Sequence, residues 1–423
     1  MYRFLFFLIF PGLLGAQSYP QLLEQAERAV TEGDFATAMM RYAAAAQSKQ
    51  QDAGTYLLAA DAALRVRDYE AAVQYFELGK SKFDYKSPVV FMYARALKQQ
   101  GRCEQALPVW EQFLRQFRGE NPEFWRAETE REMAGCRETP LIRPEWQLLY
   151  SDSLNIEPNA ASPQVFGADL LYFSLPGKGK ARLMRARGRA GDWSAPALAL
   201  GLPPEAAARF GGGAFSADGS RFYCTQCEAN DAGARNGFSF PTQCALYVLR
   251  LGDRGWGAPE RLPDYINLPG SVSTHPFVLQ QGNEERLFFA SDRPGGLGGF
   301  DLYTCVRPVD ADALDFSFPQ NLGKNINSSG DEITPCYDAK TGVLWYAGNG
   351  FPGLGGFDIY AVPHSAAGWG SRQHAGAPLN SPADDYFPAL RPLGKGLFLV
   401  SNRIHLPFKS NTRTQSIFEF GNP

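Results

Sequence analysis

The chain has 423 residues, 44% hydrophobic and 13% aromatic, enough apolar material for more than one core, so two domains are expected. Its 41 basic and 44 acidic residues leave a net charge of -3, which argues against a general nucleic-acid or anionic-membrane binder, because both need a basic surface. The chain opens MYRFLFFLIFPGLLGAQ, with one basic residue, Arg3, and an apolar run from Phe4 to Leu14 too short to span a bilayer. This pattern predicts a secretory signal peptide over residues 1–16, cleaved after Ala16. No other apolar stretch approaches the ~20 residues of a spanning helix. The expected mature protein is therefore exported to the periplasm, with no membrane span and at most a peripheral place at the outer membrane.

A helical region follows, expected over residues 17–138, and it repeats every 34 residues. Ala38, Ala72 and Ala106 share one phase, Tyr42, Phe76 and Trp110 a second, and Gly33, Arg67 and Gly101 a third. Small residues let two helices approach closely, and an aromatic four positions later covers the opening on the same face. These six alanine and aromatic positions are expected to be repeat core. Pro140 and Pro144 end the helical pattern and mark a linker over 139–145.

From residue 146 to 423 the chain is rich in Gly, Pro and aromatics, with short alternating runs, which predicts many strands and tight turns. SDRPGGLGGFDLY at Ser291–Tyr303 nearly repeats as GNGFPGLGGFDIY at Gly348–Tyr360, with Asp301 and Asp358 57 residues apart. Such a period is that of propeller blades. Five second strands (DLLYFS, SRFYCT, ERLFFAS, GVLWYA and GLFLVS) and five third strands align, with fourth strands expected after Trp193, Trp256, Phe316 and Trp369. The fifth unit lacks a fourth strand. WQLLYSDSLN at Trp146–Asn155 can supply it and close the ring. The expected fold is thus α + β multidomain, an α-solenoid followed by a five-bladed propeller, with six blades as the alternative.

Within the repeated loops Gly298, Gly299, Gly355 and Gly356 are expected to permit left-handed backbone angles, and Asp301 and Asp358 to fix the turn by accepting local N–H groups. GLGG lacks the acidic oxygens of a calcium site and the order of a phosphate loop. Asp331-Glu332 and Asp384-Asp385 precede innermost strands and are read as blade-to-blade contacts, with an acidic ring at the channel mouth as the functional option. Export would put the seven cysteines in an oxidising compartment. Cys103 and Cys136 can clip the last helices together, while Cys224, Cys227 and Cys244 crowd one hairpin, with Cys227 and Cys244 the candidate pair. Cys224-Thr-Gln-Cys227 has zinc or redox spacing but no further ligands nearby, so no metal or cofactor is expected.

The 34-residue helical unit resembles the tetratricopeptide repeat. The units FSADGSRFYC and RLFFASDRPGGLGGFDLY resemble the WD-like PD repeats of TolB-type propellers, in the form found in Bacteroidota envelope proteins. In this order they are similar to the N-terminal part of PorE-like type IX secretion and gliding subunits, without the OmpA-like domain. The resemblance implies a non-catalytic periplasmic scaffold whose partners are outer-membrane or secretion-machine proteins. The alternative is a glycan- or peptidoglycan-binding propeller using loop aromatics such as Phe300, Phe351 and Phe357. A hydrolase or lyase ranks below both, because there is no GxSxG or HExxH motif and His275, His364, His374 and His405 are scattered singly.

Overall fold

The computed structural model describes residues 17–421 except 50, 139–140, 150–151, 156–159, 167–168, 175–181, 190, 200–209, 228–231, 236–237, 242, 313, 392–395 and 404–415. The expected signal peptide lies outside the described residues. Among them no helix is long and apolar enough to cross a membrane. The chain forms two compact units that divide after Asp84, inside the helical region.

The first unit holds α1 (Tyr19–Thr31), α2 (Phe35–Ser48), α3 (Ala53–Arg65) and α4 (Tyr69–Gly79). Asp34 and Asp68, one repeat apart, cap α2 and α4 by accepting the N–H of Thr37 at 3.1 Å and of Ala71 at 3.0 Å. The residue before each cap turns left-handed, Gly33 at φ 72° and Arg67 at φ 59°. Ala26, Ala38 and Ala59 have no exposed surface, and Tyr42 packs in the same cluster. Ala72 and Phe76 are buried likewise.

The second unit starts with α5 (Val89–Lys98), α6 (Cys103–Gln116) and α7 (Pro122–Arg137). Ala106 and Trp110 are fully buried, and a Cys103–Cys136 disulfide joins the start of α6 to the end of α7. These helices lie directly on the propeller: a Cβ at Gly135 would fall 2.2 Å from the carbonyl oxygen of Gly353 in the fourth blade. Beneath that contact Lys98 Nζ lies 2.6 Å from Glu132 Oε2, with both side chains buried. Burial alone would raise the Glu132 carboxyl, but Lys98, Arg95 and Arg131 together hold it down to about 2. The segment expected as a linker is bonded to the ring as well. The N–H of Arg143 donates to Ala377 O, and that of Ala377 to Leu141 O, each at 2.7 Å.

Five antiparallel sheets form the ring. Their innermost strands are Ala160–Phe166, Phe210–Phe215, Ser273–Gln281, Glu332–Asp338 and Asp385–Leu390. Each is followed by a second and a third strand, in blade three for example Glu284–Ser291 and Asp301–Pro308. The outermost strand of blade five comes from the other end of the unit: Gln147–Leu149 pairs with Ser416–Gly421, Leu148 opposite Phe420. Apolar clusters fill the spaces between blades. Between blades two and three Tyr223, Leu246 and Ile266 meet Leu287, Phe289 and Tyr303.

One polar device recurs in three consecutive blades. Asn267, Asn327 and Asn380 are buried, and each side chain bonds both backbone groups of one strand residue: Leu246, Leu302 and Ile359 respectively, at 2.7–3.1 Å. Removing such a side chain strands a buried N–H and a buried C=O. Asn327→Ala is therefore expected to cost about 2–4 kcal/mol in urea unfolding, against under about 1 kcal/mol for the exposed Asn325→Ala. Equal midpoints for the two variants would contradict this role.

Candidate functional site

The five innermost strands converge on one axis, and each breaks register at the same level. The breaks lie between Ala161 and Gln164, Phe210 and Gly213, Thr274 and Phe277, Ile333 and Cys336, and Tyr386 and Ala389. At each bulge one residue turns to positive φ: Ser162, Gly212, His275, Thr334 and Phe387. Proline follows in four blades (Pro163, Pro276, Pro335 and Pro388) and Gly213 in the second. Proline has no N–H, so these bulges can offer carbonyl acceptors but no backbone donor from that residue.

The bulge residues meet across the axis. A side-chain carbon at Gly212 would lie 3.4 Å from Ser162 Oγ, 3.5 Å from Phe387 Cε1 and 3.7 Å from His275 Cδ2. The rings of His275 and Phe387 pack edge to face with centroids 5.2 Å apart. The N–H of Phe387 donates to Thr334 Oγ1 at 3.1 Å, and that of His275 to Thr225 Oγ1 at 3.1 Å. Ser162 Oγ accepts from Gly213 N at 3.2 Å. All five blades thus contribute to one closed layer.

Beyond this layer lies a vestibule of about 580 Å³, within the range of small-ligand pockets. Phe215, Phe277, Tyr337 and Phe387 supply aromatic surface, and Ser162, Gln164, Ser216 and Thr334 supply polar groups. Gln164 is held by Phe215 N–H at 3.2 Å and donates to Gly213 O. The lining is uncharged. Burial pushes the His275 imidazole down to about 3 and the Cys336 thiol up to about 12, so both are neutral near pH 7. No Asp, Glu, Lys or Arg lines the vestibule among the described residues.

The residues singled out from sequence lie elsewhere. Asp301 accepts the N–H groups of Leu297 at 2.6 Å and Gly298 at 3.2 Å, and Asp358 accepts that of Gly355 at 3.1 Å. The loop glycines serve close approach rather than left-handed angles, since positive φ occurs at Gly295 but not at Gly298, Gly299, Gly355 or Gly356. A Cβ at Gly298 would fall 2.4 Å from Gly330 O, and one at Gly355 1.8 Å from Ala383 O, each on the next blade's approach. Asp331 and Asp384 are buried between blades. They accept the N–H of Phe300 at 3.0 Å and of Phe357 at 3.1 Å and pair with Asn349 and Asn402. Phe300 and Phe357 are buried too, whereas Phe351 is part-exposed and carries the Arg372 guanidinium 3.1 Å above its ring, so of these three loop aromatics Phe351 alone offers surface. Cys227 is bonded to Cys244, while Cys224, Cys305 and Cys336 are buried thiols. Among the described residues no cluster of His, Cys, Asp and Glu could hold a metal ion. The bulges are hidden in the sequence because a proline inside an apolar run signals the end of a strand. The available signal is the recurrence of a proline one or two residues before an apolar residue in four innermost strands, at Pro163, Pro276, Pro335 and Pro388.

No family model matches the chain, and no curated protein matches it. Several solved structures match its backbone. An α-L-arabinofuranosidase from Lactobacillus brevis is 11% identical over 64% of this chain and 92% of that one, with TM-score 0.41. A thermostable family-43 glycoside hydrolase is 13% identical over 64% and 91%, TM-score 0.43. The GH32 β-fructofuranosidase of Bombyx mori is 11% identical over 70% and 65%, TM-score 0.40. These findings correct the expectation of a tetratricopeptide and PD-repeat envelope scaffold of the type IX secretion kind, and with it that of a chain without catalysis. No model of either repeat matches, and the matching backbones include glycosidases and a puromycin-hydrolyzing peptidase. At such identities the likeness concerns the fold alone.

Glu332, beside Asp331 at the start of the fourth innermost strand, is buried on the other side of the closed layer. Burial raises its carboxyl to about 8, although Ser328 N–H and hydroxyl bonds oppose the shift. The unfolded chain releases this proton near its ordinary value of 4.5, the folded chain only near 8. The contribution to stability is therefore whole below about 4.5 and is lost as pH rises through 8. Glu332→Gln should abolish that loss, so the urea midpoint of the parent should fall by more than the variant's between pH 5 and pH 8.5. Parallel profiles would contradict the assignment.

Proposed function

We propose that the propeller binds a neutral glycan in the axial vestibule. The observation that carries this reading is the lining: aromatic rings, carbonyl acceptors at proline-bearing bulges, and no charged group among the described residues. A charged ligand entering it would give up hydration without a counter-charge. A neutral sugar has C–H faces that stack on Phe277, Tyr337 and Phe387, and hydroxyl donors that suit carbonyl and hydroxyl acceptors. Binding is the part the lining supports. Glycoside cleavage uses two carboxyl groups about 5–9.5 Å apart, and the described lining supplies neither. Two disulfides favour an oxidising compartment outside the cytoplasm, which fits export through a leader over 1–16.

Calorimetric titration of the full chain with neutral gluco-, xylo- and arabino-oligosaccharides tests the reading. At least one series should bind, and Phe277→Ala and Phe387→Ala should each weaken it roughly tenfold, the equivalent of about 1.4 kcal/mol, with the far-ultraviolet circular dichroism unchanged. Unaltered affinity in both variants, or no binding by any sugar, would remove the vestibule as the site. Because His275 titrates near 3, affinity should also stay constant from pH 5 to pH 8. A loss centred near pH 6.5 would show an imidazole that charges in the site.

A further inference from the structure

Every residue that lines the vestibule lies at or after the bulge of its innermost strand. None comes from the half of the channel before it, where Ala160, Ser273, Glu332 and Asp385 begin four of those strands and are buried. The boundary between the halves is the closed layer. Ser162, His275 and Phe387 crowd within 4 Å of the space above Gly212, and Thr334, from the remaining blade, bonds the backbone of Phe387. Ser162 and Thr334 are 8% and 3% exposed. The vestibule therefore has one open end and a floor.

From this we infer that the site is a blind socket that recognises the end of a neutral glycan chain, not its interior. The inference rests on the glycan reading above and adds a direction to it. A chain bound through its interior needs two exits, one for each continuing arm, and the floor blocks the axial one. A chain end needs a single entrance. The floor then acts as the specificity element, because the terminal unit alone meets Ser162, His275 and Phe387, while later units lie nearer the mouth.

The test uses the full chain and a ladder of linear neutral oligosaccharides from dimer to hexamer, with a cyclic oligomer of the same sugar. Each linear chain has one end of each kind whatever its length. Recognition of ends predicts a Kd per chain that stays within about twofold from trimer to hexamer, and no binding of the cyclic form. Recognition of the interior predicts an affinity per chain that grows with the number of units, and binding of the cyclic form; that result overturns the blind socket and leaves glycan binding standing. Failure of every linear sugar to bind overturns both.

Discussion

Five strands that converge on one axis cannot all run straight, because their side chains would compete for the same volume. Each innermost strand relieves the crowding with a bulge at one level, where a residue of positive φ turns the chain: Ser162, His275, Thr334 and Phe387 in four blades and Gly212 in the second. The result is a division of labour along the channel. On one side buried acidic groups and Asn side chains bond neighbouring blades together. On the other a chamber opens whose walls are aromatic, proline-rich and uncharged. The ring is closed by Gln147–Leu149, which completes the last blade at its outer edge.

The distribution of charge follows the same boundary. Carboxylates in the second unit are spent on structure: Asp301 and Asp358 hold loops, Asp331 and Asp384 join blades, and Glu285 is buried against Arg307 at 2.9 Å. Glu132 is clasped by three cations where α7 meets the fourth blade. A buried charge persists only with such partners. Among the described residues the vestibule has no such partners and holds groups that stay neutral instead. The neutral ligand proposed above would be recognised there by shape, stacking and hydroxyl bonding.

Much of the ring is legible in the sequence. Second strands such as Asp169–Ser174 and Gly396–Ser401 are continuous apolar runs, and the closing strand was visible as an aromatic-led run with no partner nearby. The helical period was legible through Ala38, Ala72 and Ala106, whose lack of exposure follows from close helix approach. The site was not legible. Its bulge residues lie 50 to 63 positions apart, and His275-Pro276 or Thr334-Pro335 read singly as a strand end. Phe300 and Phe357 misled in the opposite sense: glycine-rich surroundings suggest an exposed loop, yet the glycines exist to let that loop press against the next blade.

With no charged group in its described wall, the vestibule should select a neutral, hydroxyl-rich ligand. The most direct measurement is paired calorimetry of the full chain with oligosaccharides that differ only in carrying a carboxylate, a neutral hexose series against its uronic acid counterpart. The account predicts that the neutral member binds and that the acidic member at pH 7 binds at least about tenfold more weakly, a difference of about 1.4 kcal/mol or more. Equal affinities, or a preference for the acid, would contradict it.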